Sequence, residues 1–190
     1  MVLFLSILLI LVQLSFFLVV ILAAATLCAG MVSVYLDVPF VPTPVRFRRT
    51  IGAALRITEG DSVYELGSGT GGFLIGLSKK NPKATFIGIE LNPLLHAYAN
   101  VLKRLRGNPS NVVFRRENFF DTDLSGANKI YGYLLESIME RILLKLERET
   151  NGVRFASRAF QFKTKQPVDI IRLSKMRGTH GENMLYVYEL

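Results

Sequence analysis

Charge is absent from the beginning of this 190-residue sequence. Between Val2 and Leu36 there is no Asp, Glu, Lys or Arg, and the polar residues are Ser6, Gln13, Ser15, Thr26 and Ser33. A helix rises about 1.5 Å per residue, so roughly 20 residues cross a hydrocarbon core. The run therefore accommodates one tilted span, or a span with a short exit segment, and excludes two. Cysteine and histidine are scarce as well. Cys28 is the single cysteine, inside the apolar run, and His96 and His180 are the two histidines. That excludes a disulfide framework and offers no Cys/His metal spacing, so no metal site is expected. No basic stretch precedes the apolar run, which exceeds a signal-peptide core of about 7–15 residues. Leu27 is bulky where a lipoprotein signal places a small residue before its cysteine. Residues 1–36 thus read as an uncleaved transmembrane anchor, although Ala23-Ala24-Ala25 mimics a cleavage site.

All 23 Lys and Arg and all 15 acids lie beyond the anchor, so the remainder carries the whole net charge of +8. Nothing basic precedes the span except the amino terminus, and Arg46, Arg48, Arg49 and Arg56 follow it. By the positive-inside rule, a single-pass anchor of this kind leaves the following domain facing the cytoplasm. A basic domain tethered at a membrane faces anionic lipid head groups. Arg-aromatic interleaving and nucleic-acid motifs are absent, so nucleic acid is not the expected partner.

Residues 37–61 read as a Pro-rich linker and an N-terminal helix. Pro39, Pro42 and Pro44 stiffen the exit from the membrane. Thr43 is placed to cap a helix with Pro44 at its first position. Val45, Phe47, Ile51, Ala54 and Leu55 give that helix an apolar face, leaving Arg46, Arg48 and Arg49 on a solvated one. Residues 62–190 then alternate strand and helix. Strands are expected at Ser62–Leu66, Ala84–Glu90, Val112–Phe114, Ile130–Tyr133, Gly152–Phe162, Val168–Leu173 and Met184–Tyr188. Helices are expected after Gly71, after the Asn92-Pro93 cap, and from Leu135 to about Arg148. The apolar face of the second carries Leu94, Leu95, Tyr98, Val101, Leu102 and Leu105. Alternation first and helix-free strands last predict an α/β fold: a mostly parallel sheet ending in an antiparallel strand.

The chain is organised around Val63-Tyr64-Glu65-Leu66-Gly67-Ser68-Gly69-Thr70-Gly71. Strand, glycine turn and helix hold a nucleotide-like ligand at the carboxyl end of a first strand. Gly67, Gly69 and Gly72 with Glu90 satisfy a dinucleotide fingerprint. Glu65 argues otherwise, because a carboxylate at the strand tip repels a pyrophosphate and attracts a cation. S-adenosylmethionine carries a sulfonium and an ammonium and no phosphate. Glu90 can accept from the ribose hydroxyls of either ligand. The chain also lacks a second mononucleotide half.

These residues resemble those of the class I S-adenosylmethionine-dependent methyltransferases. The resemblance is closer to a branch of small protein-lysine methyltransferases, archaeal and mitochondrial. It is carried by Val38 through Pro44, Glu65 through Gly71, Gly88-Ile89-Glu90-Leu91-Asn92, Asn118-Phe119-Phe120 and Tyr133-Leu134-Leu135. It implies a Rossmann-like seven-stranded sheet and S-adenosyl-L-methionine as cofactor. It further implies that Glu65, Gly67, Ser68, Gly69 and Gly71 surround the methionine moiety and Glu90 binds the ribose. Asn118 and Phe119 would border the adenine, and Thr43 would lie over the cofactor as part of a lid. Phe120, Tyr133, Leu134 and Leu135 would line the channel for a lysine of a protein substrate, with membrane proteins among the candidates. Thr70 and Gly72 depart from many members of the branch, which carry an acid and then a basic residue at those positions.

Methyl transfer from a sulfonium is an in-line displacement that needs alignment rather than a nucleophilic triad, so no catalytic residue is assigned. The acceptor lysine must be neutral, against an unperturbed pKa near ~10.4, and an apolar channel beside a sulfonium favours that form. Each aromatic of the channel also reads as core, and Asn118 also reads as a loop cap. Two other functions stay open: a methyltransferase for a lipid-soluble small molecule, and a non-catalytic cofactor-binding membrane module.

Overall fold

The computed structural model describes residues 2–35, 41–173 and 184–190. Residues 36–40, expected as the membrane exit, and residues 174–183, which include His180, lie outside the described residues. The chain divides into two units, Met1–Phe40 and Val41–Leu190.

The first unit is one helix, α1 (Val2–Tyr35). Its stretch Ser6–Leu27 is long and apolar enough to cross a membrane by length and composition. Two of the polar side chains there bond back to the helix's own carbonyls. Ser15 donates to the carbonyls of Leu11 and Val12, each at 2.9 Å, and Thr26 to that of Ala23 at 2.8 Å. Such internal satisfaction is what a polar group requires where no water can reach it.

The second unit begins with a 3-10 turn, Val45–Phe47, that runs into α2 (Arg48–Leu55). Then come β1 (Ser62–Leu66), α3 (Gly72–Ser78), β2 (Thr85–Ile89), α4 (Pro93–Leu105), β3 (Val112–Arg115) and β4 (Lys129–Gly132). A second 3-10 turn (Glu136–Ile138) leads into α5 (Met139–Glu149), followed by β5 (Arg154–Arg158), β6 (Asp169–Arg172) and β7 (Met184–Glu189). The seven strands lie in the order β3-β2-β1-β4-β5-β7-β6. The pairs from β3 through β5 are parallel, and β7 runs antiparallel to both β5 and β6. The seven-stranded, mostly parallel sheet with one antiparallel strand thus matches expectation. Strand order reverses between β1 and β4, which opens a crevice beyond their carboxyl ends.

Each sheet face has its own apolar core. On one face Ile51 and Leu55 of α2, Leu74 of α3 and Ala99 of α4 cover Val63, Phe86, Tyr131 and Val187. On the other, Ile142, Leu143 and Leu146 of α5 cover Tyr64, Leu66, Ile130 and Phe155.

Four local expectations are corrected. Thr43 does not cap a helix: Pro44 occupies the N-cap position, and the Thr43 hydroxyl lies 2.8 Å from Tyr131 Oη. The strand expected over Gly152–Phe162 ends at Arg158, because Ala159 adopts φ 75° and turns the chain. The turn is held by Ser157 Oγ donating to the Phe160 carbonyl at 2.6 Å and by the Phe162 amide donating to Tyr188 Oη at 3.0 Å. Arg48 is half-buried rather than solvated, unlike Arg46 and Arg49. Finally, most of the apolar face read on α4 points to solvent, and Ala99 is its one fully buried residue.

Candidate active site

Parallel register builds the site. Phe114, Gly88, Glu65, Tyr131 and Ala156 are successive partners across β3, β2, β1, β4 and β5. They form one row near the carboxyl edge, on the face covered by α2, α3 and α4. Gly88 contributes no side chain to the row, and the Phe114 ring fills the space: a Cβ on Gly88 would lie 2.6 Å from it. Glu65 is therefore a carboxylate in an otherwise apolar row.

It is buried, and its Oε2 has no hydrogen-bond partner among the described residues. Burial holds the Glu65 carboxyl well above the usual carboxylate range, the Glu90 charge adds to this, and the Arg48 guanidinium opposes it. A buried acceptor without a donor costs free energy, and a cationic ligand is the partner that would offset it. The Ser68 hydroxyl, at the start of the turn, is likewise buried without a partner among the described residues.

The glycine turn is shaped for a cation more than for a phosphate. Gly67, Gly69 and Gly71 have φ of 70°, 54° and 70°, the left-handed region where glycine carries no steric cost. Four of the five amides of Gly67–Gly71 are already engaged by the protein. Those of Gly67 and Ser68 both donate to the Ile89 carbonyl at 2.9 Å, and that of Gly71 to the Ser68 carbonyl at 2.9 Å. The Gly69 amide donates to Glu90 Oε2 at 2.7 Å. A phosphate cradle needs such amides free to face the ligand, so the residues fit S-adenosylmethionine better than a dinucleotide.

Glu90 has a second duty that sequence reasoning missed. Its Oε1 accepts from the Asn92 amide at 2.8 Å, so one carboxylate ties the turn to the tip of β2 and to the start of α4. Asn92 in turn caps α4, its Oδ1 accepting from the amides of Leu94 and Leu95 at 2.9 and 3.2 Å. Each Glu90 oxygen retains lone-pair capacity for a ligand hydroxyl.

Three further contributors come from unexpected places. Arg48 of α2 lies over α3, where a Cβ on Gly76 would be 2.7 Å from its Nη1 and a Cβ on Gly72 would be 3.3 Å from its Nη2. Gly72 and Gly76 share one helical face, and their missing side chains make the groove that admits the guanidinium. Tyr131 is fully buried against Phe73, ring centroids 4.5 Å apart, and its hydroxyl meets Thr43. Burial pushes its phenol well above the usual range, so it stays protonated and able to donate. Arg158 covers the ring of Tyr133, its guanidinium carbon 4.2 Å from the ring centroid. The sequence signal for Arg48 was present in the Gly72/Gly76 spacing; Tyr131 and Arg158 read only as ordinary strand residues.

The expected acceptor channel is brought together in part. Leu134 is buried beside the turn, 3.7 Å from where a Cβ on Gly67 would stand. Tyr133 packs into the core of the α2 face, whereas Phe119, Phe120 and Leu134 belong to the α5 face. Phe120 stacks beneath Arg141, 4.1 Å from the guanidinium carbon, and lies 4.8 Å from the Phe119 ring. Leu135 is half-buried just before the second 3-10 turn. Asn118 Oδ1 accepts from the Phe120 amide at 3.0 Å, so this side chain does cap its loop.

Known proteins resemble this chain in sequence and in fold. The family described as ANTKMT methyltransferase domain matches residues 65–169. A protein-lysine N-methyltransferase of Saccharolobus islandicus is 30% identical over 154 residues, covering 80% of this chain and 92% of the relative. A Caenorhabditis elegans lysine N-methyltransferase, whose name gives an ATP synthase subunit as its target, is 27% identical over 115 residues, covering 57% of this chain and 60% of the relative. Among solved structures, an RNA methyltransferase of Salinibacter ruber bound to S-adenosyl-L-homocysteine superposes with a TM-score of 0.70 at 26% identity. That match covers 78% of this chain and 93% of the other.

Proposed function

This chain belongs to the ANTKMT methyltransferase family, within the class I S-adenosylmethionine-dependent methyltransferases, and from that premise we propose that it N-methylates lysine side chains of proteins at a membrane. Its activity is that of an S-adenosylmethionine-dependent methyltransferase, with S-adenosyl-L-methionine as cofactor. The observation that carries the site assignment is the buried Glu65 carboxylate, whose Oε2 lacks a donor among the described residues beside a turn that has engaged four of its five amides.

In this reading Glu65 supplies the counter-charge to the methionine end of the cofactor, with Gly67, Ser68, Gly69 and Gly71 around it. Glu90 accepts from the ribose while still bracing the turn. Asn118 and Phe119 border the adenine. Thr43, held to Tyr131, fixes the segment that closes over the cofactor. S-adenosylmethionine, when bound there, would supply an electrophilic methyl group for a neutral lysine nitrogen. The chain's task is to align that nitrogen and strip it of water and proton. Leu134 and Leu135 form the apolar approach, with Phe120 beside them on one sheet face and Tyr133 on the other. Arg158 over Tyr133 adds positive charge there, which disfavours a protonated lysine.

Protein-lysine activity is supported by the names of the two curated relatives, and the membrane location by α1. We place the second unit on the cytoplasmic side of a single span. A lipid-soluble acceptor is the second reading, and it too is favoured by α1. The deciding experiment incubates the full chain, in detergent or vesicles, with methyl-labelled S-adenosylmethionine and fractionated membranes. Label in protein that hydrolyses to methyl-lysine supports the proposal. Label extracted into organic solvent supports the second reading, and label in RNA overturns both. Cofactor binding without transfer to any fraction leaves only a binding module.

A further inference from the structure

Helix α4 has more apolar surface than the sheet beneath it uses. Ala99 is fully buried, and Leu95 and Leu102 are half-buried. Leu94, Tyr98, Val101 and Leu105, however, are 41%, 55%, 50% and 79% exposed, and Leu91, just before the cap, is exposed too. At 100° per residue these four helical positions fall in a stripe about 60° wide on the outer side.

The charge carried by α4 and β3 is of one sign. From Leu91 to Arg116 there is no Asp or Glu, and there are five basic residues: Lys103, Arg104, Arg106, Arg115 and Arg116. All but Lys103 are exposed, as are Lys79 and Lys80 at the end of the neighbouring α3. A second copy docked on this stripe would bring two acid-free basic surfaces together. A nucleic acid would use the cations and leave the apolar stripe in water. An anionic bilayer answers both halves: acyl chains for the stripe, phosphates and carboxylates for the cations.

We propose that α4 is a membrane-contact helix, seating Leu94, Tyr98, Val101 and Leu105 at the acyl boundary of an anionic leaflet with Arg104 and Arg106 at its head groups. The stripe begins at the active edge. Asn92 caps α4 and donates to Glu90, so a helix seated in this way holds the cofactor-binding edge at the bilayer surface. The contact belongs to the second unit's own residues and does not require α1 to span.

The chain contains no tryptophan, so Tyr98→Trp creates a single fluorescent reporter on the stripe. Leu144→Trp, at a 68% exposed position on α5 across the sheet, is the control. Each full-length variant is mixed with phosphatidylcholine vesicles, or with vesicles containing phosphatidylserine, some carrying brominated acyl chains. Flotation is read in parallel. The expected result is a blue shift and bromine quenching for Tyr98→Trp that are stronger with phosphatidylserine and reduced by Arg104→Gln/Arg106→Gln, with Leu144→Trp unquenched. Flotation with solvent-like, unquenched Tyr98→Trp emission overturns the α4 contact while leaving the α1 anchor standing. No flotation with either vesicle overturns both. A blue shift that follows protein concentration and ignores lipid assigns the stripe to a second copy and overturns the proposal. None of these readouts involves methyl transfer, so its failure and this one are distinguishable.

Discussion

Replacing Glu65 by Gln should strengthen the empty protein and weaken its hold on the cofactor. The side chain is buried in an apolar row, Oε2 has no partner among the described residues, and burial and Glu90 both disfavour its charge. An unsatisfied buried polar group costs about 1–3 kcal/mol, more when charged. Glutamine stays polar and buried, so the variant recovers only the excess cost of the ionisable group, and each kcal/mol recovered raises Tm by about 2–4 °C in a domain of this size. The sign depends on pH. At a pH below the unfolded carboxyl's value near ~4.3 both states are protonated, and Glu65→Gln differs little from the parent. As pH rises the unfolded chain ionises first, while the folded carboxyl stays neutral until its raised pKa is passed. The parent loses stability through that window, so the variant's advantage appears there and is fully developed above it. Cofactor binding goes the other way. A charge-assisted hydrogen bond is worth about 1.5–3 kcal/mol, so the variant should bind S-adenosylmethionine roughly 10- to 150-fold more weakly. Parent affinity should rise with pH through the raised Glu65 pKa, and the variant's should stay flat. Thermal unfolding of the full chain in detergent across pH, with calorimetric titration of the cofactor, reads both quantities. A variant that is less stable at neutral pH, or that binds cofactor like the parent, would refute the reasoning from the orphaned oxygen.

Arg48→Met removes the charge that favours ionised Glu65, so the pH midpoint of cofactor binding should move upward; an unmoved midpoint in the same titration would show that the two do not communicate. Thr43→Val and Tyr131→Phe should each cost about 0.5–1.5 kcal/mol in denaturant unfolding and be non-additive, because they share one hydrogen bond. Both should raise the KM for cofactor more than they lower kcat. Gly71→Ala should destabilise by about 2–5 kcal/mol, since φ is 70° and the new Cβ would stand 2.2 Å from Phe114 Cζ. Adding Phe114→Leu should recover the steric part and leave the backbone part, which denaturant midpoints of the single and double variants will separate.

Much of the fold was legible because the determinants are local. Asn92-Pro93 announces α4 with its own cap, and β1 and β2 read directly from apolar runs bounded by turns. What sequence missed depends on partners distant in the chain. The expected strand at Gly152–Phe162 stops at Arg158 because Ala159 turns and Tyr188, far along the chain, holds the Phe162 amide. The apolar pattern on α4 was read correctly as a pattern and wrongly as a buried face. Periodicity reports which residues share a side of a helix, and Ala99 decides which side meets the sheet. At the site, Glu65 stood out because a carboxylate at a strand tip has little structural reason to be there. Tyr131 did not, since only parallel register makes it the neighbour of Glu65.

Arg48 shows how a departure from the resemblance can be absorbed by the fold. A basic residue was expected just after the glycine turn, and the position holds Gly72. With glycine there and at Gly76, α3 presents a bare face one turn long, and the Arg48 side chain of α2 lies across it. The guanidinium thereby reaches the electrostatic neighbourhood of Glu65 from a different element. Its charge is itself disfavoured, first by burial and then by Arg106. Pairing Arg48 with Glu65 has a consequence that an in-line basic residue lacks. Because Arg48 belongs to α2, which follows directly on the Thr43 segment, movement of that segment over the cofactor would shift the cation and retune Glu65 in the same motion. Gly72→Ala then has a distinct signature: the methyl would stand 3.3 Å from Arg48 Nη2 and press the guanidinium outward. The variant should reproduce the upward pH midpoint of Arg48→Met while keeping every charge in place, and an unchanged midpoint with Arg48 displaced would show that proximity to Gly72 is packing alone.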